Sequence, residues 1–229
     1  MKKYTAFWDV SISESDKSKV LEDRKLAKNR HDLDSGIFQG RYVNYKLGRF
    51  TDEFIYGRYQ IFEEVKNDLK KLKPNSKVLD LGCGTGHLSK YIKDKGFEVI
   101  GLDPSLKMLE FAKNNFSDIS FVEGISANLP FKDNFFDYVV SIEVLRYLNA
   151  KDVEKTYKEI LRVLKHSGFF NVTHVNKYAF DMYFIFFHIK KFFIEFNGKT
   201  YHNCYFTTSN KEAQLIGNLG FKEVKSVGR

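Results

Sequence analysis

Lys77-Val78-Leu79-Asp80-Leu81-Gly82-Cys83-Gly84-Thr85-Gly86 is the stretch whose reading decides the fold class. Val78 to Leu81 is a short apolar run that reads as a buried strand, and it breaks into three glycines spaced two apart. Gly82, Gly84 and Gly86 permit backbone angles and a close approach that a side chain would block. The next segment, Leu88 to Lys95, reads as a helix stopped by Gly96. Its first turn would direct free N–H groups and the positive end of its dipole at a ligand. Alone, such a turn means a nucleotide-type ligand and no more, because dinucleotide-binding folds share it.

Downstream, strands alternate with helices. Phe97 to Asp103 reads as a second strand, Ser105 to Asn115 as a helix and Ile119 to Glu123 as a third strand. Phe136 to Ser141 is a fourth strand, Val153 to Leu164 a helix ended by Ser167-Gly168, and Phe169 to Val175 a fifth strand. Thr207 to Leu219 then reads as a helix and Gly220 to Val224 as a sixth strand. This alternation implies right-handed crossovers and a parallel sheet covered on both faces. Asp103 closes the second strand, where a carboxylate can bind the hydroxyls of a ribose, and Pro104-Ser105 opens the next helix.

Upstream, residues 1–35 are polar with weak helical periodicity. Residues 37–73 read as helices rich in aromatics, among them Phe38, Tyr42, Tyr45, Phe50, Phe54, Tyr56, Tyr59 and Phe62. Ile61, Val65, Leu69 and Leu72 keep helical spacing until Lys73-Pro74-Asn75. Between the fifth strand and the tail, residues 178–196 are apolar nearly all round. Asp181, His188 and Lys190-Lys191 interrupt that stretch, so it falls short of a spanning helix. Three readings stand: core packing, a lid over an apolar substrate, or peripheral membrane contact through Lys190-Lys191 beside Phe and Ile.

The net charge of +8 comes from lysines interleaved with acids, without a basic run, which reads as a solvated surface and disfavours nucleic acid as a partner. The two cysteines, Cys83 and Cys204, show no zinc spacing, Cys83 lies inside the glycine turn, and no metal site is expected. The 23 Phe and 13 Tyr fit A/T-rich codon usage or, more sharply, an aromatic pocket. No sustained apolar stretch opens the chain, so no signal peptide is expected and the chain reads as cytoplasmic.

A further block separates the turn from dinucleotide-binding proteins: Asn128-Leu129-Pro130-Phe131, then Phe136-Asp137-Tyr138-Val139-Val140-Ser141-Ile142-Glu143-Val144-Leu145. With Asp80 to Gly86 and Asp103, it resembles the type-11 group of class I S-adenosylmethionine (SAM)-dependent methyltransferases. That group includes the ubiquinone/menaquinone-biosynthesis enzymes. The resemblance covers residues 76–175 strongly and 205–227 loosely. It implies that Asp80, Gly82, Cys83, Gly84 and Gly86 hold the methionine end of SAM. Asp103 would bind the ribose, with Pro104 and Met108 lining the adenine pocket. Ser126 and Ala127 would lie by the adenine edge, and Ser141 would border the sulfonium. S-adenosylhomocysteine would be the product. Two residues depart from the family: Ile125 stands where an adenine-binding Asp is common, and Arg146 where a His is common. The family sheet also ends with an antiparallel seventh strand, whereas this sequence reaches only an apparent sixth.

The expected fold is therefore α/β: a Rossmann-like, doubly wound, mostly parallel sheet. It would carry an N-terminal helical cap (1–73) and a SAM-binding domain (74–229) with an aromatic-rich helical insertion or lid (about 176–206). Methyl transfer from SAM is a displacement at an activated carbon, so alignment and desolvation dominate and no triad need be visible. His174, ending the fifth strand, and Glu143 are the candidates for acting on an acceptor, and each also reads as a packing or capping residue. The acceptor is expected to be a small molecule, apolar or lipid-like. The alternatives are an RNA or protein methyltransferase, or a SAM-binding module without activity.

Overall fold

β1 (Lys77–Leu81) is buried along nearly its whole length and forms the middle of a five-stranded sheet. The computed structural model describes residues 53–177, 183–198 and 204–222. In chain order the elements are α1 (Glu53–Leu69), β1, α2 (His87–Asp94), β2 (Glu98–Asp103), α3 (Leu106–Asn115), β3 (Ser120–Glu123) and β4 (Phe136–Ser141). A 3-10 turn (Leu145–Tyr147) follows, then α4 (Ala150–Val163), β5 (Leu164–Val172), β6 (Val175–Asn176), α5 (Tyr183–Phe196), β7 (Phe206–Thr207) and α6 (Ser209–Asn218). The expected helices before residue 53, with Phe38, Tyr42, Tyr45 and Phe50, lie outside the described residues. Of the expected sixth strand, Gly220 to Lys222 form a turn and bend and pair with no strand among the described residues, and Glu223 and Val224 lie outside them.

The sheet order is β3-β2-β1-β4-β5, and every pairing in it is parallel. The order reverses between β1 and β4, the place where open α/β sheets bind ligands at the carboxyl ends of their strands. Alternate residues of β1 face opposite layers. Val78 packs with Phe62, Val65 and Leu69 of α1, Ile92 of α2 and Leu109 of α3. Leu79 and Leu81 pack with Val153, Tyr157, Ile160 and Val163 of α4 and with Ile216 of α6. Helices thus cover both faces, and neither edge of the apolar β1 meets water.

The helix starts follow local chemistry. Ser105 accepts the Met108 N–H, Asn149 accepts the Asp152 N–H and Thr208 accepts the Lys211 N–H, each capping a helix. Under α1, the Asp68 carboxylate accepts from Tyr138 Oη at 3.1 Å and Asn171 Nδ2 at 2.9 Å, joining that helix to β4 and β5.

β5 departs from the sequence expectation. It begins at Leu164, directly after α4, and ends at Val172, so His174 lies beyond it. The cause is an irregular register: Phe136 pairs with Leu164, but Tyr138 pairs with Phe169. Residues 165–168 bulge opposite Asp137 alone, and the Asp137 carboxylate holds Lys165 Nζ at 2.8 Å. A Cβ on Gly168 would stand 3.1 Å from the Asp137 carbonyl oxygen, so Ser167-Gly168 serves a close backbone approach and does not stop a helix.

Candidate functional site

The glycine turn sits at the carboxyl end of β1. Gly82 has φ +79°, and its N–H donates to the Leu102 carbonyl at 2.7 Å. A Cβ there would lie 2.1 Å from Val144 Cγ2, so Gly82 is required by both its backbone angle and its neighbour. Gly84 differs: its φ is +52°, yet a Cβ would meet nothing within 4 Å. Its open side is where the turn can receive a ligand. Gly86, with φ +78°, precedes α2 and packs under Phe121 and Ala112.

Asp103 organises this turn. Its Oδ2 accepts the Gly84 N–H at 2.9 Å and its Oδ1 the Ser105 N–H at 2.8 Å, while its carbonyl accepts the Gly124 N–H at 3.2 Å. One residue therefore joins the glycine turn, the start of α3 and the turn after β3. Asp80 is deeper, 2% exposed, and accepts from Ser89 Oγ of α2 at 2.6 Å. Burial, aided by the Asp103 charge, pushes its carboxyl up to about 7 against the pull of the Ser89 hydrogen bond. Cys83 is buried as well, and burial raises its thiol well above the usual range, so it is an inert side chain filling the turn.

At the carboxyl end of β4, the Ser141 hydroxyl is fully buried and has no hydrogen-bond partner among the described residues. Two residues on, Glu143 has φ +62°, a left-handed angle costly for a side chain with a Cβ. Its N–H donates to Thr173 Oγ1 at 2.6 Å, and its carboxylate receives Arg146 at 2.5 Å. The Arg146 carbonyl in turn accepts the Tyr205 N–H at 2.9 Å. Tyr205 and Tyr157 both donate to the buried Glu212, fixing the 204–207 segment to α4 and α6. His174, half-buried, follows Thr173 at this same end of the sheet. Glu143 and Arg146 were legible only as separate residues in the sequence; their pairing and the strained backbone were not.

On the side expected for adenine, Met108 is buried and Pro104 and Ala127 are half-buried. The Ser126 hydroxyl is shared with Thr156 Oγ1 at 2.9 Å, so the side chain is engaged within the protein. Ile125 is 39% exposed and presents an apolar side chain at that edge.

The Leu129-Pro130-Phe131 block turns out to be a clasp. Arg162 of α4 donates to the carbonyls of Leu129 and Phe131 and to Asp133, and Glu159 accepts the Leu129 N–H. Phe136 is core, and Asp137 ties Lys77 and Lys165 together at the foot of the sheet. The Arg162 and Glu159 hydrogen bonds fix the shape of the 129–133 turn against α4. Among the described residues, no group of three His, Cys, Asp or Glu side chains is placed to hold a metal ion.

The arrangement fits SAM on its own terms. Two carboxylates lie at the ends of adjacent strands, and Asp80, pushed up to about 7 chiefly by burial and further by the Asp103 charge, would ionise more readily beside a positively charged ligand. The open cradle at Gly84 and the orphaned Ser141 hydroxyl add space and an unused hydrogen-bonding group.

Comparison with known proteins agrees with that chemistry. A methyltransferase-domain family matches residues 79–172. The demethylmenaquinone methyltransferase of Staphylococcus saprophyticus is 32% identical, over 90% of this chain and 93% of that protein. The sterol 24-C-methyltransferase of Schizosaccharomyces pombe is 31% identical over 75% of this chain and 48% of that protein. A solved SAM-dependent methyltransferase of Thermotoga maritima superposes with a TM-score of 0.55 and 26% identity, covering 80% of this chain and 79% of that one. The chain spans about half the length of other curated relatives it matches, 46% and 57% in two cases.

Proposed function

The chain belongs to the class I SAM-dependent methyltransferases, in the group of the ubiquinone and menaquinone methyltransferases, and we propose on that basis that it methylates a small, lipid-like acceptor. The observation that carries the reading is the Asp103 carboxylate gripping Gly84 and Ser105 beside the buried Asp80. The quinone and sterol substrates in the names of two relatives support the lipid-like class of acceptor.

When bound, SAM supplies a methyl group already activated by its sulfonium. The chain's own residues would do the rest. Asp103, and Asp80 once a bound cation favours its ionised form, would set a negative potential around the turn. The Gly84 cradle admits the ligand backbone-close, and Met108 and Pro104 offer an apolar wall for the adenine. The Ser141 hydroxyl, fixed at the end of β4, borders the reacting end. Glu143, Arg146 and His174 stand on the acceptor side, where Arg146 can orient an acceptor oxygen by hydrogen bonding. Their contribution is alignment and exclusion of water, which dominates displacement at an activated carbon. The segment 176–206 would form the acceptor-side lid.

The test is turnover by the full chain on demethylated quinones of differing tail length and on sterols, read as S-adenosylhomocysteine formed. Turnover on any of these supports the reading. SAM bound tightly in calorimetry with no product across the panel would instead favour a binding module without activity. Salt-dependent RNA binding coupled to RNA methylation would move the acceptor class to nucleic acid.

A further inference from the structure

α5 carries apolar side chains on two opposite faces. Phe187 is buried, its ring 5.3 Å from that of Phe206, and Ile194 is half-buried on the same side. The outer side holds Ile185, Phe186, Ile189, Phe192, Phe193 and Phe196, between 44% and 79% exposed. At 3.6 residues per turn these six fall in one arc of about 120°. Lys190, exposed, borders one edge of the arc, and His188, exposed, borders the other beside Glu195. Six large apolar side chains in one continuous stripe form a surface that a folded protein does not leave in water without a use.

We infer that the outer face of α5 docks on an anionic lipid surface, an inference that rests on the lipid-like acceptor proposed above. Three observations choose a lipid over a protein. The arc has no hydrogen-bonding group among its six side chains, whereas protein interfaces carry about one hydrogen bond per 100–200 Å² to fix their register. The chain carries a net charge of +8, and Lys190 stands at the edge of the arc, which complements anionic headgroups, while Lys191 lies on the inner side and pairs with Glu195 at 3.8 Å. The helix, 14 residues and about 21 Å long, suits lying in the interface; among the described residues no helix is long and apolar enough to cross. Position then links the surface to the site. Phe187 and His188 pack on Phe206, and Tyr205 beside it holds the Arg146 carbonyl, so α5 is joined to the acceptor side. A bilayer against this face would place the acceptor opening where a lipid-like substrate dissolves.

The test is co-sedimentation of the full chain, without SAM or acceptor, with phosphatidylcholine vesicles containing or lacking phosphatidylglycerol. The expected result is binding that strengthens with phosphatidylglycerol and weakens at least about tenfold in Phe186→Glu/Phe193→Glu, with SAM affinity unchanged. Should that double variant fold poorly, Phe193→Ser and Lys190→Glu are expected to weaken binding in the same direction. No sedimentation of the unaltered chain, or binding indifferent to all these changes, overturns the inference. So does a dimer that Phe193→Ser dissociates, which would give the face to a second copy. A photo-crosslink from position 193 to residues before 53 in the free protein would give it to this chain's own N-terminal part. Because vesicle binding is read without turnover, failure of the acceptor reading shows separately in the methylation assay.

Discussion

Asp103 and Gly84 meet across the carboxyl ends of β2 and β1, the carboxylate accepting the Gly84 N–H at 2.9 Å. The contact means that Asp103 shapes the glycine turn as well as offering a charge to a ligand. Asp103→Ala is expected to weaken SAM binding at least about tenfold in calorimetry, since hydrogen bonds to a charged group are worth about 1.5–3 kcal/mol. Unchanged affinity would remove Asp103 from the site.

Gly82→Ala puts a methyl group 2.1 Å from Val144 Cγ2 at φ +79°. The angle and the overlap together should cost about 2–4 kcal/mol in denaturant unfolding. Adding Val144→Ala should recover the packing part and leave the backbone part. A double variant no better than the single would mean that the angle alone sets the cost.

Ser141→Ala removes a buried hydroxyl without a partner. Losing an unsatisfied group should leave the ligand-free melting temperature unchanged or raised. If the hydroxyl serves SAM, the melting shift produced by added SAM should shrink. An equal shift in both proteins would separate Ser141 from the ligand.

Asp80 makes stability fall with pH. The unfolded side chain ionises near 3.8, whereas the folded one keeps its proton to about 7. Between those values the native state holds more protons than the unfolded state, so stability drops as pH rises and the loss is complete above the folded value. Relative to Asp80→Asn, the unaltered chain should lose at least about 1 kcal/mol over that interval in denaturant titrations. A bound cation favours the ionised form, so SAM affinity should rise over the same interval. Parallel pH profiles for the two proteins would contradict the burial of this charge.

Glu143→Gly and Glu143→Ala both lose the Arg146 partner but differ at φ +62°. The glycine variant should be more stable than the alanine variant by about 1 kcal/mol. Equal stability would mean that the turn relaxes away from the left-handed angle.

Much of the frame was legible because local signals agree with the global fold. The Val78–Leu81 run, the glycines after it and the helix opening near Ser105 read correctly from pattern alone, whereas the last helix begins at Ser209, two residues after the expected Thr207. The start of α4 was placed late, at Val153; Asn149 caps the helix and the first turn, from Ala150, carries no apolar period. β5 was misplaced because Ser167-Gly168 resembles a helix stop, and only the register with β4 reveals a bulge. The pairing of Glu143 with Arg146, the depth of Asp80 and the isolation of Ser141 depend on residues distant in sequence or on burial. No period or spacing encodes them.

Val175 pairs with Phe206 and Asn176 with Thr207, so the two ends of the intervening stretch meet in a two-residue ladder. The stretch is thereby closed at its base, and its length and composition can change without shifting any strand of the five-stranded sheet. Closing a longer loop costs little more than closing a short one, about 0.6 kcal/mol per doubling. The ladder makes this segment an exchangeable cassette: grafting another one between Lys177 and Cys204 keeps Tyr205 on Arg146 and Glu212 and changes only what covers the acceptor side.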